Sequence, residues 1–434
     1  MTIVRLLCAG LLTGALLAPP LPAAAQQLQL ESVVLLSRHG VRSPTEPLDE
    51  LDKRVASPWA RWPVAPGELT PRGAELMTLM GGYYHALYAG RGLLPAADCP
   101  AAGTVAAWAD IDQRTRLTAQ SILDGLYPRC GLKERHQVDL SRPDSLFHPP
   151  KSGGACPVDP ERAKAAVLER IGGNFTSVLK EYAAPLAAMQ AILCPPELSA
   201  GKVACGLEAA PAELETRRSG GIVMKGPIAI GSTAVEIFLL ESAQGMPHEQ
   251  VAWGRLKGDA TLHDLLVVRA LQFDLMERTL YLARQQGSNL LATILTTIED
   301  RRSFPAAAAS PDGPRFVLLV GHDTNVTNMA GLLGIGWAIQ GFQPNEASPG
   351  GALAFEVLRD PASGRRYVEL AYYAQTLDQM RQVTKLDLDH PAGVSKIDLP
   401  ACGREARGRA CPLERFVEIA RAAIDPGCLT LQRN

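Results

Sequence analysis

Short runs that are apolar at every position alternate with amphipathic stretches along much of this chain. Three segments, 28–37, 104–111 and 315–320, each hold such a run and lead into a polar cluster. The first holds Val33, Val34, Leu35 and Leu36 in succession, and the third Phe316, Val317, Leu318 and Leu319. A strand without alternation has both faces covered, as in the interior of a parallel sheet. Helical periodicity follows each run, over 69–88, 114–126 and 326–333. Strand followed by helix, repeated, predicts an α/β fold with a three-layer, doubly wound sheet. Ligands of such a fold lie beyond the carboxyl ends of the strands. Phe355 and Val357, then Tyr367, Val368 and Leu370, predict a further strand pair in the same sheet.

The middle of the chain is patterned differently. Helical spacing runs over 163–170, 175–193, 232–244 and 262–285. This predicts a smaller, mostly α-helical domain, 156–284, inserted into an α/β domain made of 26–155 and 285–434. The stretch 45–69, rich in Pro and Trp, is expected to be an ordered loop near the site.

The chain has 434 residues, 47% hydrophobic and 20% charged, which excludes wholesale disorder. Lys and Arg number 43 against 45 Asp and Glu, so the basic surplus of a general nucleic-acid binder is missing. Residues 1–25 have the form of a secretory signal: Arg5, an apolar stretch over 6–17, and Ala23, Ala24 and Ala25 before the cleavage point. Pro19, Pro20 and Pro22 follow a run shorter than the roughly 20 residues a membrane span needs. The mature chain is therefore expected to be periplasmic or secreted, with no membrane attachment after cleavage. Cys8 leaves with the signal. Cys99, Cys130, Cys156, Cys194, Cys205, Cys402, Cys411 and Cys428 remain, an even count that predicts four disulfides in an exported chain. Proximity favours Cys194–Cys205 and Cys402–Cys411, then Cys99–Cys130, leaving Cys156–Cys428.

Candidate chemistry gathers where the apolar runs end. Arg38-His39-Gly40-Val41-Arg42-Ser43-Pro44 follows the first run. Two guanidiniums offer planar donor forks that suit phosphate oxygens, and a neutral imidazole between them can attack phosphorus. Gly40 is expected to let the backbone approach a bound group. Gly321-His322-Asp323-Thr324-Asn325 follows the third run. Asp323 is a candidate proton donor to a leaving alkoxide, although Asp323 or Asn325 could equally be a helix N-cap. Asp112-Gln113-Arg114-Thr115-Arg116 follows the second run, with one of the two arginines expected at the site and the other in solvent. The other histidines, His85, His136, His148, His248, His263 and His390, are dispersed without metal-ligand spacing and read as surface or structural. No GxSxG, HExxH, Walker or GxGxxG motif is present.

The heptad at 38–44 and the pentad at 321–325, whose histidines stand 283 residues apart, resemble the two signatures of the histidine acid phosphatase family. The similarity is nearest to its bacterial periplasmic phytase/acid phosphatase branch, with glucose-1-phosphatase beside it. Stretches 69–73, 112–116, 236–240, 244–247 and 376–381 add to it, and the proposed disulfide pairing agrees with that branch. The resemblance implies a phosphomonoesterase in which His39 becomes a phosphohistidine and Asp323 protonates the leaving oxygen. Arg38, Arg42 and Arg116 would clamp the phosphoryl group beside His322, while Thr45, Asp112 and Glu236 match positions near the pocket. It implies a small-molecule phosphate monoester as partner, no cofactor or metal, and a monomer. Glu46 stands where phytases of the branch carry Lys, and an approximate alignment puts Arg269 at a pocket His and Gln286 at a pocket Arg. These departures weaken attraction to a polyanion such as phytate, with Arg269 offsetting part of it. Two alternatives remain: a glucose-1-phosphatase-like sugar-phosphate phosphatase, and a non-catalytic periplasmic phosphate-ester binding protein.

Overall fold

The computed structural model describes residues 27–149, 156–199, 205–218, 220–256, 259–304 and 310–429; the expected signal segment lies outside them. Ten strands are described: β1 (Gln29–Arg38), β2 (Val105–Ala109), β3 (Arg135–His136), β4 (Glu213–Thr216), β5 (Ile222–Lys225), β6 (Phe316–Gly321), β7 (Ala352–Arg359), β8 (Arg366–Ala374), β9 (Gly393–Ile397) and β10 (Cys411–Pro412). The main sheet runs β10-β8-β7-β1-β6-β2-β3, with β9 also on β8. The three runs singled out in the sequence are its central parallel strands β1, β6 and β2. Beyond β1, the strands β7 to β10 pair antiparallel. Val33 to Leu36 and Phe316 to Val320 are all buried, as strands covered on both faces require.

Helices start where local chemistry directs them. Thr70 caps Pro71–Gly90 by accepting from the Gly73 N–H at 2.9 Å, and Pro71 occupies the first turn, where a missing N–H costs nothing. Asp323–Leu333 begins with the His322 N–H donating to Asn325 Oδ1 at 2.9 Å, and ends at Gly334 in the left-handed region. Asn325 is therefore a buried structural side chain.

Two stretches patterned as single helices are each broken. The first becomes Thr176–Glu181 and Ala183–Leu193. Pro185 has no N–H for the carbonyl of Glu181, so one continuous helix would leave that group unpaired and clash with the ring. The second becomes Asp259–Glu277 and Leu280–Glu299. Here Thr279 takes a non-helical ψ of 118°, while its hydroxyl donates to Leu275 O at 2.6 Å. Residue 284, where the sequence pattern closes the helical insertion, thus lies inside Leu280–Glu299. The middle of the chain also carries the β4–β5 hairpin.

All four disulfides pair as proximity favoured: Cys99–Cys130, Cys156–Cys428, Cys194–Cys205 and Cys402–Cys411. No helix among the described residues is long and apolar enough to cross a membrane.

The helix Pro227–Ala243 is buried along most of its length and carries two carboxylates. Glu241 is 1% exposed and accepts from the Ala252 N–H at 2.9 Å. That bond holds a turn in which Ala252 and Trp253 both have positive φ. Burial pushes the Glu241 carboxyl up to about 8, against the opposing pull of the Ala252 N–H. A group that holds its proton more tightly when folded stabilises the fold at low pH, and that contribution fades as pH rises from the ordinary carboxyl range through about 8. Glu241→Gln, which keeps a neutral acceptor there, should raise the melting midpoint in mildly alkaline buffer and leave it nearly unchanged in acid. Circular-dichroism melts of both proteins across pH check this.

Candidate active site

The site is assembled by strand register. Parallel pairing of β1 with β6 sets Arg38 opposite Gly321, and the His39 N–H donates to Gly321 O at 3.0 Å. On the other side of β6, the Asp110 N–H donates to Val320 O at 2.9 Å. The polar clusters that end the three apolar runs therefore meet at one edge of the sheet. Gly40 is required by packing. A Cβ there would lie 2.9 Å from Met77 Cγ and 3.2 Å from Gly73 O, on the helix that crosses behind it.

His39 is 2% exposed. Its Nδ1 lies 2.9 Å from Gly40 O, so in the neutral ring Nδ1–H donates and Nε2 keeps its lone pair. Burial, then Arg38, Arg42, Arg114 and His322, hold its pKa well below the usual imidazole value. Its surroundings therefore favour the neutral ring.

Arg38 is completely buried. Its Nη1 donates to Ala347 O at 2.7 Å, and its Nη2 lies 2.5 Å from Glu236 Oε1 and 3.1 Å from Asp323 Oδ2. Arg42 Nη2 shares the same Glu236 oxygen at 3.1 Å. Arg114 and Arg116 stand on the first turn of Gln113–Leu126 and both are partly buried; Arg114, rather than the Arg116 that the resemblance implied, is the one brought against His39 and His322. Arg114 Nη2 lies 3.4 Å from His322 Nδ1 and 2.6 Å from Asp112 Oδ2. The buried Nε atoms of Arg38, Arg42, Arg114 and Arg116 have no hydrogen-bond partner among the described residues.

His322 faces a donor at Nδ1, so its Nε2–H donates to Asp110 Oδ2 at 2.6 Å. The same oxygen lies 2.8 Å from His148 Nε2. Burial works against ionisation of Asp110, but the bonds from His148 and His322 prevail and hold it well below the usual carboxylate range. Burial lowers His322, and the Asp110 bond only partly opposes this. Among the described residues, Asp110, Asp112, His148 and His322 gather their polar side-chain atoms within 4.8 Å of one another. His148, classed by spacing as surface or structural, thus belongs to the hydrogen-bonded shell of the site.

Asp323 opens its helix, where the positive end of the peptide dipoles favours a carboxylate. Its Oδ1 accepts from the Thr324 N–H at 2.9 Å, and Arg269 Nη2 approaches its Oδ2 to 2.7 Å. Burial would raise its pKa, but Arg38, Arg269, Arg42 and His322 outweigh burial and hold it ionised.

Other expected residues fall further out. Thr45 is exposed, and Glu46 pairs with Arg54 at 2.7 Å, so its charge is already compensated. Gln286 lines a cavity of about 240 Å³ shared with His148, Arg217, Glu277, Thr324 and Asn328. Sequence patterning missed Asp110 and Glu346. Asp110 stands two residues before the noted Asp112, directly at the end of β2, and a strict strand-end rule would have found it. Glu346 carries no local signal.

The Histidine phosphatase superfamily (branch 2) model matches residues 29–163 and 247–373. The chain is 35% identical to phytase AppA of Escherichia coli (strain K12), over 93% of this chain and 94% of that protein. It is 28% identical to a glucose-1-phosphatase of Salmonella typhimurium (strain LT2), over 91% and 92% of the two chains. Among solved structures, a Hafnia alvei phytase in complex with tartrate superposes with a TM-score of 0.87 at 39% identity, covering 93% of this chain and 99% of that one. With the two histidine clusters joined across β1 and β6, these similarities establish that the chain belongs to branch 2 of the histidine phosphatase superfamily and is a phosphoric monoester hydrolase.

Proposed function

We propose that hydrolysis runs through a phosphohistidine on His39, with Asp323 as proton donor. The carrying observation is the group of buried guanidinium Nε–H donors, on Arg38, Arg42 and Arg114, that lack partners among the described residues around an imidazole with a free Nε2. Buried unpaired donors are costly, and a phosphoryl dianion would satisfy them. In the first step Nε2 of His39 forms a bond to phosphorus, the ester P–O bond breaks, and the leaving oxygen takes its proton from Asp323. In the second, water attacks phosphorus and gives a proton to Asp323, the P–N bond breaks, and inorganic phosphate leaves. Fixed guanidiniums meet the charge that develops on the transferred group.

The free site holds Asp323 as a carboxylate. A dianion bound beside it draws on Arg38 and Arg42 and repels that carboxylate, which favours the protonated form. Acid medium does the same, so the activity should have an acidic optimum.

Relatives named phytase at 35% and 39% identity favour phytate among the substrates. The second reading, a sugar-phosphate phosphatase of glucose-1-phosphatase type, draws on the 28% relative and on Gln286, a neutral side chain on the neighbouring cavity. The leader-like residues 1–25 and four disulfides support a periplasmic location.

Three outcomes test the scheme. His39→Ala should abolish both turnover and acid-labile phosphate labelling after rapid quench; near-normal hydrolysis by this variant would remove the nucleophile. Asp323→Asn should slow alkyl phosphates far more than p-nitrophenyl phosphate, whose leaving group needs no proton, and equal losses on both would remove the acid. Asp110→Asn leaves His322 without its anionic acceptor. At about 1.5–3 kcal/mol for a charge-assisted bond, kcat/KM should fall by roughly 10–100-fold with an unchanged circular-dichroism spectrum.

A further inference from the structure

Arg269 stands on the helix Asp259–Glu277 with its side chain 4% exposed and its guanidinium 4.0 Å over the ring of Phe273. Its Nε donates to Glu346 Oε1 at 2.8 Å, and its Nη2 reaches Asp323 Oδ2 at 2.7 Å and Glu236 Oε1 at 3.5 Å. Glu346 is buried as well. These contacts join Arg38, Arg42 and Arg269 with Glu236, Asp323 and Glu346 into one closed array of three cations and three anions. Arg269 is therefore not the spare pocket cation that its alignment with a pocket histidine implied. Its donors are committed to carboxylates.

The geometry assigns Arg269, anchored by Glu346, as a positioning residue that orients the Asp323 carboxyl and sets how readily it gives up its proton in the substrate complex. This rests on the reading in which Asp323 is the acid. The charged groups facing Asp323 are Arg38 from β1, Arg42 from the loop after it, His322 from its own turn, Arg114 from Gln113–Leu126, Glu236 from Pro227–Ala243, and Arg269. A bound phosphoryl dianion competes for Arg38 and Arg42, which flank His39. Arg269 is held at Nε by Glu346 and so stays with Asp323. A cation kept there makes Asp323 a stronger acid toward the leaving oxygen. It also restricts the protonated form to lower pH.

The test compares Arg269→Gln, Arg269→Lys and Glu346→Gln with the wild type, using an alkyl phosphate and p-nitrophenyl phosphate across pH. In Arg269→Gln the basic limb of the kcat profile should move up by about one pH unit or more, as loss of an adjacent opposite charge requires. The KM for p-nitrophenyl phosphate in acid should stay within about threefold, because no substrate contact is removed. Arg269→Lys should keep the limb near its wild-type position, and Glu346→Gln should move it in the same direction as Arg269→Gln by less. An unmoved limb in Arg269→Gln, or a loss confined to KM, overturns the assignment and makes Arg269 a substrate-binding cation. If Arg269→Gln does not fold, Glu346→Gln carries the test, and an unmoved limb there overturns it. Acid-labile labelling of wild type and variants is read in parallel: its absence in the wild type would sink the histidine route itself, whereas normal labelling with an unmoved limb would sink only the role of Arg269.

Discussion

The parallel pairing of β1 with β6 is the constraint on which the site depends. Residues 283 positions apart become neighbours because Arg38 sits opposite Gly321 in an unbroken ladder from Val33 and Phe316 onward. A shift of one residue would turn every buried side chain of β1 to the opposite face, so burial on both faces and the catalytic register are enforced by the same packing. With Asp110 following β2 on the far side of β6, the sheet edge brings together His39, Asp323 and the anchor of His322.

Electrostatics at that edge make opposed demands. In the proposed route His39 must be uncharged, and burial among guanidiniums favours that form. The same guanidiniums hold Asp323 ionised, although its proposed task begins with a proton on it. Substrate charge can reconcile the two, since a dianion occupies the arginines that otherwise stabilise the carboxylate. The empty site is thus balanced by internal ion pairs, and the occupied site by the ester. Buried pairs of this kind add little to stability, because desolvation offsets much of their attraction.

Much of this was legible in the chain. Unbroken apolar runs gave the interior strands to within a few residues, since double-sided burial leaves that trace directly. The polar clusters after those runs gave His39, Arg38, Arg42, His322 and Asp323 their place at the sheet edge. Tertiary effects were not legible. Pro185 and Thr279 interrupt helical stretches whose apolar spacing runs on unbroken, and Gly40 is dictated by a crossing helix. The recruitment of His148, Glu346 and Arg269 depends on contacts between distant segments and leaves no periodic trace. The pairing of Glu46 with Arg54, eight residues on, shows how a charge that looks hostile to a polyanion is answered locally.

Arg38 is still hydrogen-bonded within β1, so His39, the proposed nucleophile, is one peptide removed from a central strand of the sheet. Glu236 reaches Arg38, and Arg269 reaches Asp323, from separate helices in the middle of the chain. In the proposed scheme, bond making and the tuning of proton affinity are thereby lodged on different scaffolds. Such modularity lets divergence or engineering retune the working acidity of the enzyme by exchanging helical residues while the sheet-borne machinery is inherited untouched.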